Sequence, residues 1–228
     1  LDEYLIIADL HLGLEFELSE KGIKIPSQAR AMERKISTLL NNSDAKKLVI
    51  LGDLKHNIPR ISWQEYSEIP ALIRSISKLA EVIIIKGNHD GNLERLLPNT
   101  EILKDLKIER SLLTHGHLKV GKELDYNYII MGHNHPCIEF QDEFGRRIRE
   151  SAWIKATFNE KVHDFYHIRR MPKLIIMPAF NDLIYGTPFN KGEQLLGPFF
   201  RRSLVDLENA EAYLLDGTML RLRDISFP

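Results

Sequence analysis

Seven of the nine histidines of this 228-residue chain fall into five short polar tips, each at the end of an apolar run: His11, His56, His89, the pair His115 and His117, and the pair His133 and His135. Carboxylates and amides share those tips. Asp9 stands two residues before His11, Asp53 three before His56, Asn88 and Asp90 flank His89, and Asn134 separates the last pair. One histidine by itself is ordinarily a hydrogen-bonded structural residue, but five histidine-bearing tips at one sheet edge point to ligands. A mixed set of carboxylate, imidazole and amide oxygen donors suits borderline divalent ions such as Mn, Fe or Zn better than an all-oxygen calcium or magnesium cage. The number of donors implies a dinuclear centre. On an extended chain residues i and i+2 face one side, so Asp9 with His11, and His133 with His135, are expected to point together. Gly52 and Gly87 precede Asp53 and Asn88, where a strand must turn sharply at its end.

The elements that must position these groups are five runs rich in Ile, Leu and Val, starting at Tyr4, Leu48, Val82, Ser111 and Tyr128. Such runs, without in/out alternation, suit strands covered on both faces. Between them, residues 26–42 place Ala29, Met32, Ile36, Leu39 and Leu40 on one helical face, with Pro26 at the start and Asn41 and Asn42 at the end. A second helix over residues 62–80 has Ser62 as N-cap with Glu65 three residues on, carries Trp63, Tyr66, Ile69, Ile73 and Ile76, and should kink or restart at Pro70. Strand, helix, strand in succession predicts an α/β sheet with ligands at the carboxyl ends of its strands. After residue 136 the segments CIEF, RRIRESAWIKATF and KLIIMPAF and a hairpin turning at Asp216-Gly217 predict a second sheet packed on the first. Composition shows no linker, so one domain over residues 1–228 is expected.

Charge is balanced, 31 Lys and Arg against 32 Asp and Glu, which removes any global field calling for nucleic acid. Residues 141–170 hold a small basic excess, read as a solvated face. No apolar run nears the ~20 residues that span a bilayer, and the opening residues carry acids where a signal peptide carries basic groups, so no membrane association and a cytoplasmic location are expected. Cys137 is the single cysteine, which excludes an internal disulfide and a thiolate cage and reads as a small buried residue.

The ordered segments ADLHLG, LGDLKH, GNHD, THGH and GHNH resemble the motif set of the calcineurin-like metallophosphoesterases over about residues 4–136. The finer wording DLHLG and GDLKH, with the later MPAFNDLIYGTPFN, is similar to a small branch related to SbcD-type repair nucleases and to the ligase-associated nuclease PdeM. The resemblance implies an α/β/β/α sandwich, two packed sheets flanked by helices. It also implies that Asp9, His11, Asp53 and His135 hold one metal and that Asp53, Asn88, His115 and His133 hold the other, with Asp53 bridging. The two histidines around Asn134 would then serve different ions about 3.5–4 Å apart. Manganese is the expected ion, with Fe, Zn, Ni or Co as alternatives. Two divalent cations, two carboxylates and a hydroxide leave roughly one positive charge, which suits an anionic phosphate.

On that basis His89, beside ligand Asn88 but outside the ligand set, is the expected acid for the leaving alkoxide. Asp90 would support it or serve the turn, and His56 would contact phosphate or leaving group, with Lys55 as a solvated charge. His117 and Asn134 are the expected substrate contacts. The leading expectation is a two-metal phosphodiesterase that uses a metal-activated hydroxide, acts as a nuclease on DNA or RNA and is linked to repair. A phosphomonoesterase or cyclic-nucleotide phosphodiesterase is the alternative within the same chemistry, and a non-catalytic metal-binding scaffold is the alternative outside it. Expected partners are a phosphoester substrate, including single-stranded or damaged nucleic acid; a homodimer and DNA-repair partner proteins stay open. Candidate nucleic-acid contacts are Arg146, Arg147 and Arg149, Arg169 and Arg170, or Arg201 and Arg202, whereas Phe189, Phe199 and Phe200 read as packing.

Overall fold

The computed structural model describes residues 3–225. Leu1 and Asp2, part of the acidic opening noted above, and residues 226–228 lie outside the described residues. The chain forms two compact units, Leu1–Lys104 and Asp105–Pro228.

The first unit is built on a parallel sheet of β1 (Tyr4–Ile7), β2 (Lys47–Leu51), β3 (Glu81–Ile85) and β4 (Glu101–Leu103), in that spatial order. Its helices are α1 (Leu14–Glu20), α2 (Ala29–Asn41), α3 (Trp63–Ile76) and α4 (Leu93–Leu96). Leu48 to Leu51 and Val82 to Ile85 are buried without a break, as central strands covered on both faces require. The register Ile6 to Val49 to Ile83 brings the carboxyl ends of β1, β2 and β3 level.

The helices depart from expectation at their ends and faces. Helix α2 starts at Ala29 behind Gln28, so Pro26 lies three residues upstream of its first turn, and Leu39 is exposed while Ala29, Met32, Ile36 and Leu40 are buried. Helix α3 opens with the expected capping box, the Ser62 hydroxyl accepting from the Glu65 amide and the Glu65 carboxylate accepting from the Ser62 amide. It runs through Pro70 as one helix. Ile69, Ile73 and Ile76 are buried, but Trp63 is 73% and Tyr66 69% exposed, because the buried face of the first turn is that of Gln64 and Glu65.

The second unit contains β5 (Asp105–Ile108), β6 (Ser111–Thr114), β7 (Glu123–Leu124), β8 (Tyr128–Met131), β9 (Pro136–Gln141), β10 (Arg147–Phe158), β11 (His167–Ile168), β12 (Lys173–Ile176), β13 (Thr187–Pro188), β14 (Val205–Leu214) and β15 (Met219–Arg221). Among the described residues nine of these make one mixed sheet along β13-β9-β10-β12-β8-β6-β5, with β14 on β10 and β15 on β14. Strand β10 pairs with β9 through Arg147–Ser151 and with β12 and β14 through its second half. The β14–β15 hairpin turns at Asp216 and Gly217 as expected, Gly217 adopting φ 91°. Ile129, Met131, Ile154, Leu174 and Ile176 form the core together with Phe158, Phe189 and Phe199, so the phenylalanines pack as expected.

All five anticipated strands are present, but not in one sheet. Those from Tyr4, Leu48 and Val82 lie in the parallel sheet, while those from Ser111 and Tyr128 belong to the mixed sheet, which therefore begins at Asp105 rather than after residue 136. Neighbouring strands of similar apolar texture carry no mark of which sheet they join. No helix among the described residues is long and apolar enough to cross a membrane.

Candidate active site

In the first unit the loops leaving β1 and β2 are laced together. The amide of Asp9 donates to the Gly52 carbonyl at 3.2 Å, that of His11 to the Asp53 carbonyl at 2.8 Å, and that of Leu12 to the Leu54 carbonyl at 2.9 Å. Asp9, His11 and Asp53 each offer a donor atom within 4.8 Å of the others, and all three are buried. The loop after β3 passes so close that a Cβ on Gly87 would sit 2.3 Å from the Asp53 amide nitrogen and 2.1 Å from its Oδ1. Only glycine allows that approach. It seats Asn88 and His89 against Asp53, whose Oδ1 accepts the His89 amide at 2.8 Å.

Backbone geometry marks the ligand candidates. Among the described residues eight non-glycine positions have positive φ, and Asp9 (56°), His11 (45°), Asp53 (46°), His133 (70°) and His135 (43°) are five of them. Such conformations are uncommon outside glycine and are held only where surrounding structure over-determines them. This corrects the alternation argument. Strands β1 and β8 end at Ile7 and Met131, so both residue pairs lie in left-handed loop backbone beyond the strands rather than on an extended chain.

His56, His89 and His11 form a second cluster in the same unit, one ring nitrogen of each lying within 4.8 Å of the others. Nδ1 of His56 is 3.1 Å from Nδ1 of His11, and its Nε2 is 2.7 Å from Oε2 of Glu17. Nδ1 of His89 donates to the His56 carbonyl, and the His89 ring meets that of His11 edge-on at 4.9 Å. The Lys21 ammonium, and after it the His56 imidazole, hold the Glu17 carboxyl below its ordinary range.

The supporting groups are carboxylates. Asp90 accepts from the Gly87 amide at 2.8 Å and the Lys55 amide at 3.1 Å, which is turn chemistry. Glu65, buried, accepts from the amides of His56 and Asn57 on one oxygen and from the Ser62 amide and hydroxyl on the other. Lys55 is fully buried rather than solvated, its ammonium donating to the Asn57 carbonyl. Burial pushes that ammonium below the ordinary lysine range, against the pull of Glu65, Asp90 and Asp53.

In the second unit His115 and His133 offer ring nitrogens within 4.8 Å of each other. His117 stands beside them, its ring centroid 5.1 Å from that of His115 and 6.1 Å from that of His133. The His135 carbonyl accepts from the Thr187 amide at 3.0 Å. Asn134 is buried, and its amide group spans the backbone of Leu196, accepting from its N–H at 2.7 Å and donating to its carbonyl at 3.2 Å. Arg149 is not part of a solvated face: it donates to Glu139 at 2.9 Å and to the Gly186 carbonyl at 2.9 Å, and lies over the Tyr185 ring at 4.2 Å. Glu17 and Lys55 are the site-lining groups that sequence reasoning missed or misread: no motif holds Glu17, and the LGDLKH segment that holds Lys55 does not tell its burial.

A calcineurin-like phosphoesterase family model matches residues 3–164. The chain belongs to that family. Among solved structures, this phosphoesterase resembles the Pseudomonas putida nuclease MPE with a TM-score of 0.57 and 21% identity, over 93% of this chain and 84% of that one. It also matches the Escherichia coli phosphoesterase Yfce (TM-score 0.38, 22% identity, 61% of this chain and 73% of that one). A third match is Entamoeba histolytica Vps29 complexed with Zn2+ (TM-score 0.36, 14% identity, 95% of each chain). No curated protein matches the phosphoesterase by sequence. Its fold is the mixed α/β architecture of metallophosphoesterases, with several sheets and helices.

Proposed function

We propose that this phosphoesterase is a two-metal phosphodiesterase, a single metallophosphoesterase domain acting on nucleic acid as a nuclease connected with repair. The observation that carries the reading is the left-handed backbone at Asp9, His11, Asp53, His133 and His135, strain that falls on five of the seven residues that the family motifs name as ligands. The donor chemistry fits divalent ions. Buried Asp9 and Asp53 with His11 offer carboxylate and imidazole donors, and His115 with His133 offers ring nitrogens, a donor chemistry that suits a borderline metal. As the family motifs imply, Asp9, His11, Asp53 and His135 hold one ion, and Asp53, Asn88, His115 and His133 the other, with manganese as the physiological choice. When bound, the ions supply Lewis-acid charge that makes water nucleophilic near neutral pH and offsets charge on the phosphoryl oxygens.

The protein's own groups do the rest. The His56 carbonyl can only accept, so the His89 ring carries hydrogen on Nδ1, and its protonated form offers Nε2–H to the leaving alkoxide. Asp90 holds the loop that presents Asn88 and His89. His117, beside His115 and His133, is read as the contact for a phosphate oxygen. A cytoplasmic setting is part of the same reading.

The test is a panel with manganese supplied: bis-p-nitrophenyl phosphate, p-nitrophenyl phosphate, 2′,3′-cyclic nucleotides and single-stranded DNA. Cleavage of the diester and the DNA is expected. Hydrolysis of the monoester alone, or of cyclic nucleotides alone, reassigns the substrate class, and no turnover with metal bound makes the protein a scaffold.

A further inference from the structure

Nδ1 of His11 and Nδ1 of His56 face each other at 3.1 Å, a hydrogen-bond distance between two atoms of the same kind. Two bare nitrogens there would repel, and two N–H groups would clash, so a single hydrogen lies between them. Its owner is decided one step away. Nε2 of His56 is 2.7 Å from the Glu17 carboxylate, an acceptor, and therefore carries a hydrogen. Where Nε2 is the one nitrogen of His56 that carries hydrogen, its Nδ1 is bare and the shared hydrogen belongs to His11. That leaves Nε2 of His11 with an in-plane lone pair. This nitrogen is on the side of Asp53, 3.7 Å from Oδ2, too long for a hydrogen bond between them and a separation that one cation can span.

We propose that Glu17 is a positioning residue which, acting through His56, fixes His11 in the Nδ1–H tautomer and so presents Nε2 as an electron-pair donor to a divalent ion. The proposal rests on the metal reading above. It gives His56 a different task from contact with the leaving group: both of its ring nitrogens are engaged, one by the ligand it orients and one by the carboxylate that orients it. Neither Glu17 nor His56 need touch substrate. The arrangement extends the general pattern in which a ligating histidine donates its other N–H to an acceptor, here with a second imidazole interposed before the carboxylate. The chain lies within the first unit, on α1, the loop after β1 and the loop after β2.

The experiment begins with metal-free protein carrying 15N-labelled histidine. Two-bond 1H–15N correlation spectra should place His11 in the Nδ1–H form and His56 in the Nε2–H form. Glu17→Ala should convert His11 to a mixture, and should weaken Mn2+ uptake, followed by the EPR signal of the free ion, by roughly 10-fold or more, while Glu17→Gln, which keeps an acceptor oxygen, should recover part of both. Glu20→Gln, on the same helix, should alter neither. His11 in the Nε2–H form in the wild type overturns the proposal, as does an unchanged tautomer and Mn2+ affinity in both Glu17 variants. A wild-type protein that shows the Nδ1–H form yet takes up no Mn2+ upholds the tautomer chain and overturns the metal reading instead.

Discussion

The amide of His89 donates to Oδ1 of Asp53 over 2.8 Å, so the expected acid and the expected bridging ligand are joined through the main chain rather than through the imidazole. A change at the ring leaves that bond in place. His89→Ala should therefore take up Mn2+ like the wild type while turnover of bis-p-nitrophenyl phosphate falls by roughly 10²–10⁴, the usual contribution of a positioned proton donor. Metal titration beside steady-state rates separates the two effects; a parallel loss of both would remove His89 from the role of acid.

Gly87 is the position where the fold tolerates least. A methyl group there would stand within 2.3 Å of the Asp53 amide nitrogen and 2.1 Å of its Oδ1, and those atoms belong to a buried loop. Gly87→Ala should either unfold the first unit or displace Asp53, costing several kcal/mol in thermal unfolding and abolishing Mn2+ uptake. Unchanged melting and metal binding would contradict the packing described.

Glu65 accepts four hydrogen bonds from three residues and is fully buried. Its truncation strands the Asn57 amide, leaves the His56 amide with the Leu12 carbonyl alone at 2.9 Å, and removes the carboxylate half of the α3 capping box. Glu65→Ala should lower stability by about 3 kcal/mol or more, read as a shift in the urea midpoint. Glu65→Gln, which keeps an acceptor oxygen, should recover part of the loss.

Burial pushes the Cys137 thiol up to about 12, with the nearby Glu193 and Glu139 carboxylates adding to the effect and Arg149 opposing it. Native protein should resist iodoacetamide at pH 8 and react fully in denaturant. The sign of the pH dependence follows. Between about pH 9 and 12 the unfolded chain has lost the thiol proton and the folded chain keeps it, so this group lowers stability as pH climbs through that window. Cys137→Ala should flatten that part of the stability curve.

Much of this was legible in the sequence. Apolar runs located the strands, the Ser62–Glu65 pair fixed the start of α3, and histidine-bearing tips named the ligand candidates. Partnerships across long separations were not. Nothing local tells that Glu17 meets His56, 39 residues on, or that Asn134 spends its amide on Leu196, 62 residues on, because such pairings arise from how loops cross and not from periodicity. Lys55 was misread because a lone lysine in a polar loop is ordinarily solvated; here it is enclosed with Glu65, Asp90 and Asp53 as the charges around it. The division of five similar strands between two sheets was hidden because apolar texture carries no mark of which sheet a strand joins.

The amides of Lys55, Asn57, Gly87 and His89 lie outside strands and helices, yet each donates to a carboxylate oxygen of Asp53, Glu65 or Asp90, all buried. Their protons should therefore exchange with heavy water as slowly as those of the sheet beneath them, while other loop amides equilibrate quickly. On the proposed reading the rim then opens only when the sheet does, and a substrate would meet a surface already in its working shape.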